Sequence, residues 1–304
     1  MQIVILDGYT VNPGDLSWEA LEALGDLIVY DASSPDELLD RTGSSAILIT
    51  SKCFITREFM EQCPDLKYIG SMATGYNNID VAAARELGIA VTNIPAYSTD
   101  AVAQHTFALI LELSNHTALH DRSVKDGEWS KCDHFCYWKQ PVTLLAGRSL
   151  GIIGYGQIGK KVGEIASAFG MKVNVYSQDR EAAVKSDFLS LHCPLTTENA
   201  GFINEEFLSK MKPGSVLINT ARGGLLDEQA VARALKTGHL RAAAVDVLSQ
   251  EPPKEDNPLL HAENCIITPH MAWAPEEMRR IICDTLAANL KSFLEGGTLN
   301  RVDL

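Results

Sequence analysis

Three glycines near the middle of this chain constrain its fold more than any other feature. Gly154, Gly156 and Gly159 follow the apolar run 150–153 and lead into an amphipathic stretch. A strand, a tight turn and the start of a helix are expected there, which is the setting that a dinucleotide-binding glycine turn requires. A second apolar run, 171–176, follows as in a strand-helix-strand unit. The sequence therefore predicts a nucleotide site at this turn, with the pyrophosphate at the helix N-terminus.

The composition favours a globular protein that binds a small molecule. The chain has 304 residues, enough for about two domains with their own cores. Its formal net charge of -13 repels nucleic acid and anionic membrane surfaces, so neither is expected as a partner. No apolar run reaches the ~18 residues that suggest a membrane span, and the chain begins with a strand pattern rather than a secretion signal. We therefore expect a cytoplasmic protein.

The seven cysteines are scattered and odd in number, which argues against a disulfide framework and fits a reducing compartment. Cys132, His134 and Cys136 resemble half of a metal site, because thiolates and imidazole bind zinc. No second ligand cluster faces them in the sequence. We therefore expect no metal.

Residues 1–97 alternate short apolar runs with amphipathic stretches, which predicts a small parallel sheet covered on both faces. Two loops that follow strand patterns, 50–52 and 70–80, are rich in small residues. Such loops can point backbone N–H groups at an anion, and they are equally what an ordinary turn needs. The residues alone leave both interpretations open.

A long apolar helix, capped by Ser98-Thr99-Asp100 and ending near Ala118, is expected to be buried between two domains. Its His105 is interpreted as a packing residue. The polar and aromatic segment 119–147 that follows lacks a core period, so we expect an irregular arm. Aromatic residues anchor interfaces, so this arm is either a partner surface or a loop folded on its own domain.

Four strand patterns after the glycine turn each run into a polar residue. These residues are His192, Arg222, Asp246 and His270. In an open parallel sheet, ligands bind beyond the carboxyl ends of the strands, where the strand order reverses. We therefore expect these side chains to converge with the glycine turn on one crevice.

Three residues of this crevice have the chemistry of hydride transfer between a nicotinamide and a small acid. His270 is the natural acid/base, because imidazole titrates near neutral pH. Glu251 is placed to hydrogen-bond its other nitrogen and raise its pKa, and Arg222 offers a fork for a carboxylate or a polarised carbonyl. The alternatives are a strand-end cap for His270, a surface ion pair for Glu251 and a structural bridge for Arg222.

At these residues the sequence resembles the D-isomer-specific 2-hydroxyacid dehydrogenases, and within them the glycerate dehydrogenase (hydroxypyruvate reductase) group. The resemblance covers nearly the whole chain. Its motifs are Ala73–Asp80, Leu191–Thr196, Asn219–Gly224, Asp246–Pro253 and Thr268–Trp273.

The resemblance implies catalytic roles for Arg222, Glu251 and His270. It also implies homodimers joined through the nucleotide domain, with an arm tryptophan, here Trp138, that enters the pocket of the neighbouring subunit. The substrate-binding candidates are Lys52, Ala73, Thr74, Gly75, Arg222 and Trp138. The candidates for binding NAD, with NADP not excluded, are Gly154, Gly156, Gln157, Ile158, Gly159, Ser177, His192, Cys193, Pro194, Thr220, Ala221 and Asp246.

The sequence departs from the family in two places. The position that carries an acid in NAD-preferring proteins, at the end of the second strand, is Ser177, which would not repel a 2′-phosphate; Asp179 is a possible substitute acid. The connection between Tyr176 and Phe188 is also too short for the usual third strand. Either an edge strand has been lost or the sequence omits a loop. We expect the omission, and therefore a gap in the chain at Gln178–Asp179.

The expected fold is α/β, with two Rossmann-like parallel-sheet domains. A flavodoxin-like substrate domain, 1–97 with 285–304, receives the nucleotide-binding domain, 98–284, as an insertion. The predicted reaction is hydride transfer between NAD(P)H and a small anionic 2-keto acid, from hydroxypyruvate or glyoxylate to D-glycerate or glycolate. A non-enzymatic, NAD-sensing corepressor-like protein and a dehydrogenase for a larger acid are the alternatives.

Overall fold

The computed structural model describes residues 1–304. Its strands are β1 (Gln2–Ile5), β2 (Asp26–Val29), β3 (Ile47–Thr50), β4 (Tyr68–Ser71), β5 (Ala90–Thr92), β6 (Ser149–Ile153), β7 (Lys172–Val175), β8 (Phe188–Leu191), β9 (Ser215–Asn219), β10 (Leu240–Val245) and β11 (Cys265–Ile267).

Helices occupy most of the connections between these strands. They are α1 (Glu19–Glu22), α2 (Leu38–Thr42), α3 (Arg57–Glu61), α4 (Val81–Glu86), α5 (Thr99–Asn115), α6 (Thr117–Lys125), α7 (Gln157–Ala168), α8 (Arg180–Val184), α9 (Glu205–Lys210), α10 (Glu228–Lys236) and α11 (Glu276–Leu294). None of them combines the length and the apolar content that crossing a membrane requires.

The chain divides into two compact units. Unit 1 comprises Met1–Ser98 and Ala274–Leu304, and unit 2 comprises Thr99–Trp273. The second boundary lies before α11, rather than within it as the sequence suggested. The reason is that α11 packs as a whole on α1 and β4, which belong to unit 1.

Unit 1 contains a five-stranded parallel sheet with the order β2-β1-β3-β4-β5. This is the doubly wound order of flavodoxin-like sheets. All residues of β3 and β4 are buried, because helices cover both faces of the sheet and leave no polar side to the strands.

Unit 2 contains a six-stranded parallel sheet with the order β11-β10-β9-β8-β6-β7. The chain reverses its direction of travel across the sheet between β6 and β8, and that is the switch point at which ligands bind in such sheets. Buried apolar clusters line both faces. The predicted fold class, with two parallel-sheet α/β units, is confirmed.

The expected gap at Gln178–Asp179 is absent. After β7 the chain makes a tight turn, in which the N–H groups of Gln178 and Asp179 both donate to the Val175 carbonyl, each at 2.9 Å. Asp179 then caps α8 by accepting the Ala182 N–H at 3.0 Å. The expected gap in the chain was therefore wrong: the chain passes straight from β7 into α8, and β7 is an edge strand.

The helix predicted to run to Ala118 is two helices. His116, with φ of 51°, separates α5 from α6, so the start of the segment expected to be irregular is helical. α5 is not buried on all sides either. One face packs against α7, β9 and β10, while Gln104, Ala108 and Asn115 on the other face are exposed.

The C-terminal segment pairs with the edge of the unit 1 sheet. Arg301 forms a bridge with Thr92, and the Val302 N–H donates to the Val91 carbonyl at 2.9 Å. The carboxylate of Asp303, only 4% exposed, accepts the Val91 N–H at 2.8 Å. Residues more than 200 positions apart in sequence thus complete one sheet edge.

Candidate active site

The glycine turn joins β6 to α7 as the sequence predicted. Gly154 has φ of 92°, and a Cβ there would lie 2.4 Å from backbone atoms of His192 and Cys193. A Cβ on Gly159 would lie 2.1 Å from the Gly154 carbonyl. In contrast, no atom lies within 4 Å of the Cβ position of Gly156. The turn is therefore closed on its protein side and open on the side where a phosphate would approach.

The N-terminus of α7 suits an anion. Gly156 is the N-cap and no side chain caps the helix, so the first N–H groups, including those of Gln157 and Ile158, remain available. The positive end of the helix dipole adds to their attraction for a phosphate. These residues fit the diphosphate of a dinucleotide.

Backbone hydrogen bonds join neighbouring strand exits along one edge of the unit 2 sheet. The His192 N–H donates to the Ile153 carbonyl at 2.7 Å, which links the exits of β8 and β6. The Asp246 N–H donates to the Asn219 carbonyl at 2.9 Å, and the His270 N–H donates to the Asp246 carbonyl at 2.8 Å. Side chains far apart in sequence are thus brought to the same edge as the glycine turn.

Glu251 and His270 are in direct contact. Glu251 Oε2 lies 2.6 Å from His270 Nδ1, and Glu251 Oε1 accepts the Leu248 N–H at 2.9 Å. The carboxylate is therefore held on two sides, and it fixes the plane of the imidazole. The two side chains are 33% and 26% exposed, so a small molecule can reach the pair.

Arg222 lies three residues beyond β9, at the exit next to that of β10. Its backbone carbonyl accepts from Asn219 Nδ2 at 2.9 Å, and its exposed guanidinium donates to the Ala221 carbonyl at 2.8 Å. The Asn219 side chain also accepts the Ala221 N–H at 3.0 Å. One buried asparagine thus shapes the turn from which the guanidinium projects.

The buried carboxylate of Asp246 organises the loop that carries His270. Asp246 is 1% exposed, and its Oδ1 and Oδ2 accept the N–H groups of Met271 and Ala272, both at 2.9 Å. The Thr268 hydroxyl donates to Oδ1 at 2.5 Å. The sequence pattern did not reveal this positioning function. Contact between Asp246 and a cofactor stays a prediction.

His192, at the exit of β8, is held neutral. Burial lowers its pKa to about 3. Its Nε2 lies 2.8 Å from the Ser190 hydroxyl, whereas its Nδ1 is buried without a hydrogen-bond partner. Cys193 is half-buried beside it and Pro194 is exposed. These residues flank the glycine turn, as the Gly154 geometry shows.

The other cofactor candidates of unit 2 lie at the exits of β7 and β9. Ser177 is exposed in the turn after β7, and the carboxylate of Asp179 is engaged as the α8 cap. Thr220 is 8% exposed, and its hydroxyl lies 3.0 Å from that of Thr106 on α5.

In unit 1, the loop 50–52 does not present its N–H groups to a ligand. The buried carboxylate of Asp7 accepts the N–H groups of Ser51, at 2.8 Å, and Lys52, at 2.6 Å. Of the two interpretations left open for this loop, the structure therefore favours the ordinary turn over the backbone anion site. Asp7 follows a strand pattern in the sequence, but its contact with this loop depends on β1 and β3 being neighbours in the sheet.

The loop after β4 has backbone N–H groups that remain available to a ligand. The Thr74 hydroxyl donates to the Ile94 carbonyl at 2.7 Å, and the Thr74 carbonyl accepts from Asn93 Nδ2 at 2.8 Å. The backbone N–H groups of Ala73, Thr74 and Gly75 donate to no protein acceptor. This loop fits an anion better than the loop 50–52.

The arm exposes large apolar side chains. Phe135 is 94% exposed, Trp138 67% and Trp129 49%. Trp138 is thus accessible, and its predicted entry into the pocket of a neighbouring subunit stays a prediction.

Two residues with a structural connection to the site were not predicted. His105 lies 3.0 Å from the Thr268 hydroxyl, and Glu228 binds the segment that precedes Glu251. His105 and Glu228 are each distant in sequence from the residue that they bind. Neither His105 nor Glu228 belongs to one of the sequence motifs given above.

Comparison with known proteins places these observations in a family. Residues 107–272 match the family profile described as D-isomer specific 2-hydroxyacid dehydrogenase, NAD binding domain. The chain is 45% identical over 321 aligned positions to a hydroxypyruvate reductase of Blautia hydrogenotrophica, covering 100% of both chains. It is 41% identical over 280 positions to a glycerate dehydrogenase of Methylorubrum extorquens, covering 89% of each.

A solved structure has the same fold over nearly the whole chain. The crystal structure of D-lactate dehydrogenase from Aquifex aeolicus, complexed with NAD and lactic acid, superposes with a TM-score of 0.84. It is 29% identical and covers 99% of both chains. The chain described here belongs to the D-isomer specific 2-hydroxyacid dehydrogenase family and uses an NAD(P) cofactor.

Proposed function

We propose that this protein reduces hydroxypyruvate, and glyoxylate as a smaller analogue, to D-glycerate and glycolate with NAD(P)H. The observation that carries the proposal is the hydrogen-bonded pair of Glu251 and His270, on the sheet edge that also holds the glycine turn. The relatives named hydroxypyruvate reductase, glycerate dehydrogenase and glyoxylate reductase support the choice of substrates.

The reduction needs a hydride on carbon and a proton on oxygen. A reduced nicotinamide bound at the glycine turn of unit 2 would supply the hydride, with its two electrons, for the keto carbon. His270 supplies the proton from Nε2, because Glu251 occupies Nδ1. A proton from solvent then restores the imidazolium. By holding Nδ1, Glu251 keeps Nε2 directed away from the carboxylate.

Arg222 is proposed to bind the substrate through its guanidinium, which can polarise the keto oxygen or pair with the carboxylate. The proposed substrate contacts of Lys52, Ala73, Thr74 and Gly75 are supported by the available N–H groups of the last three residues. For Lys52, the side chain rather than the backbone would make the contact, because its N–H is bound to Asp7.

The experiment is a measurement of NADH and NADPH oxidation with a panel of 2-keto acids. We expect turnover of hydroxypyruvate and glyoxylate, and a loss of roughly 10²-fold to 10⁴-fold in kcat for His270→Asn. Binding of NADH, measured by its fluorescence, should be unchanged in that variant. His261→Asn, an exposed histidine of the same unit, is the matched control. Tight NADH binding with no turnover of any acid would instead support a non-enzymatic sensor.

We also propose a homodimer in the cytoplasm. The exposed aromatic side chains of the arm support the dimer, because Phe135 and Trp138 would be covered by a second copy. Sedimentation analysis of the wild type and of Phe135→Ser tests it. A monomeric wild type at micromolar concentration would contradict it.

A further inference from the structure

We propose that His105, on α5, positions the acid/base His270 by holding the hydroxyl of Thr268 against the carboxylate of Asp246. This inference rests on the proposed function, because it assigns His105 to the same reaction. His105 Nε2 lies 3.0 Å from Thr268 Oγ1 and 3.5 Å from Asp246 Oδ1. Its side chain is 17% exposed.

The direction of each hydrogen bond in this chain of groups can be assigned. The Thr268 hydroxyl has one proton, and it donates that proton to Asp246 Oδ1 at 2.5 Å. The hydroxyl oxygen can therefore only accept from His105. Nε2 of His105 must carry a proton, and it donates to Thr268 Oγ1. The order of donation is His105 to Thr268 to Asp246.

The same carboxylate holds the backbone on the far side of His270. Asp246 accepts the N–H groups of Met271 and Ala272, and the Asp246 carbonyl accepts the His270 N–H at 2.8 Å. Four hydrogen bonds from the segment 268–272 therefore converge on Asp246. Hydrogen bonds in series polarise one another, so the donor at His105 strengthens the bonds that follow.

The segment needs this support because His270 has φ of 52°. Side chains other than glycine rarely adopt that backbone region, and they stay there only when neighbouring groups hold them. The backbone of His270 decides where its imidazole points. A small relaxation would therefore lengthen the contact with Glu251 and misdirect Nε2, and displacements of about 1 Å at a reacting group can cost roughly 10²-fold in rate.

The first test compares matched pairs of variants. His105→Leu and Thr268→Val remove the two links, whereas His105→Gln keeps an N–H at the same distance from the backbone and Thr268→Ser keeps the hydroxyl. We expect His105→Leu and Thr268→Val to lower kcat with hydroxypyruvate roughly 10-fold, with little change in the KM for NADH. The two conservative variants should retain most of the activity. Ser114→Ala, which removes a buried hydroxyl from the same helix, should leave kcat unchanged.

The second test separates positioning from general destabilisation. If His105 acts through His270, then His105→Leu should cause no further loss in a His270→Asn background. Equal losses in both backgrounds would overturn the proposal.

A third measurement does not depend on activity. Amide hydrogen exchange should become faster at Met271 and Ala272 in His105→Leu, and remain unchanged in the strands of unit 2. Unchanged exchange at these two amides would also overturn the proposal. Failure of the wild type to reduce any 2-keto acid would refute the proposed function, and the exchange measurement would still decide the inference.

Discussion

Glu228 accepts two hydrogen bonds from Ser249, one from the backbone N–H at 2.7 Å and one from the hydroxyl at 2.8 Å. Glu228 also accepts from Asn257 Nδ2 at 2.9 Å. This carboxylate, at the start of α10, thus binds both ends of the segment that contains Glu251. Glu251 and His270 lie on two different loops. Glu228 fixes the loop of Glu251, and Asp246 fixes the loop of His270.

Glu228→Gln should therefore lower kcat without loss of cofactor binding. An amide nitrogen in place of one oxygen would face a donor, so one contact to Ser249 or Asn257 is lost and the Glu251 segment loosens. We expect a decrease of roughly 3-fold to 10-fold in kcat with hydroxypyruvate. Glu255→Gln, on the exposed part of the same segment, is the control. An unchanged kcat would show that Glu251 keeps its geometry without Glu228.

Gly156→Ala should weaken cofactor binding, whereas Gly154→Ala should lower the stability of the protein. A methyl group on Gly156 meets no protein atom, so the variant should fold with an unchanged melting temperature and bind NADH at least roughly 10-fold more weakly. At Gly154 the methyl group would overlap the backbone of His192, so that variant should be destabilised. Wild-type NADH affinity in Gly156→Ala would contradict the assigned approach of the phosphate.

Ser177→Asp should shift the cofactor preference towards NADH. Ser177 is exposed after β7, and Asp179 is committed to capping α8, so this turn presents no free carboxylate to a 2′-phosphate. A new negative charge would repel NADPH, and we expect the ratio of kcat/KM for NADPH to that for NADH to fall roughly 10-fold. Ser177→Asn, which has the same size without the charge, should change the ratio little.

Asp187 should make the stability of the protein sensitive to acid. Burial raises the pKa of its carboxyl, but hydrogen bonds from Lys212 and Ser149 outweigh this and hold the pKa at about 2. Because the folded pKa lies below the unfolded value, the stabilisation is complete above pH ~4 and is lost as the pH falls towards ~2. We expect Asp187→Asn to reduce the free energy of unfolding at pH 7 by about 1 to 2 kcal/mol.

The check for Asp187 is chemical denaturation of the wild type and the variant between pH 7 and pH 3. The difference between them should shrink as the pH falls. Asp65→Asn, at an exposed carboxylate without a hydrogen-bond partner, should match the wild type throughout. A difference that is constant with pH would show that the charge of Asp187 is not the cause.

The alternation of apolar and amphipathic stretches was sufficient to predict both parallel sheets and the strand exits that carry Arg222 and His270. These features depend on local periodicity and on the rule that parallel strands end at one edge. Glu251 was predicted as the carboxylate that bonds the second imidazole nitrogen of His270, and the family resemblance implied the same role.

The features that were missed depend on contacts between distant residues. The capture of the loop 50–52 by Asp7 required knowing that β1 and β3 are neighbours. The link from His105 to Thr268 joins positions more than 160 residues apart. The break between α5 and α6 is set by the positive φ of His116, and no glycine or proline in the sequence marks this position.

The pairing of Asp303 with Val91 has a consequence for how the protein is made. Residues 1–98 of unit 1 are synthesised before unit 2, yet α11 and the segment that closes the β5 edge are synthesised after it. Unit 2 is continuous and can fold while those residues are still missing. During translation, residues 1–98 must therefore wait, with the β5 edge open to misassembly, until residues 274–304 emerge.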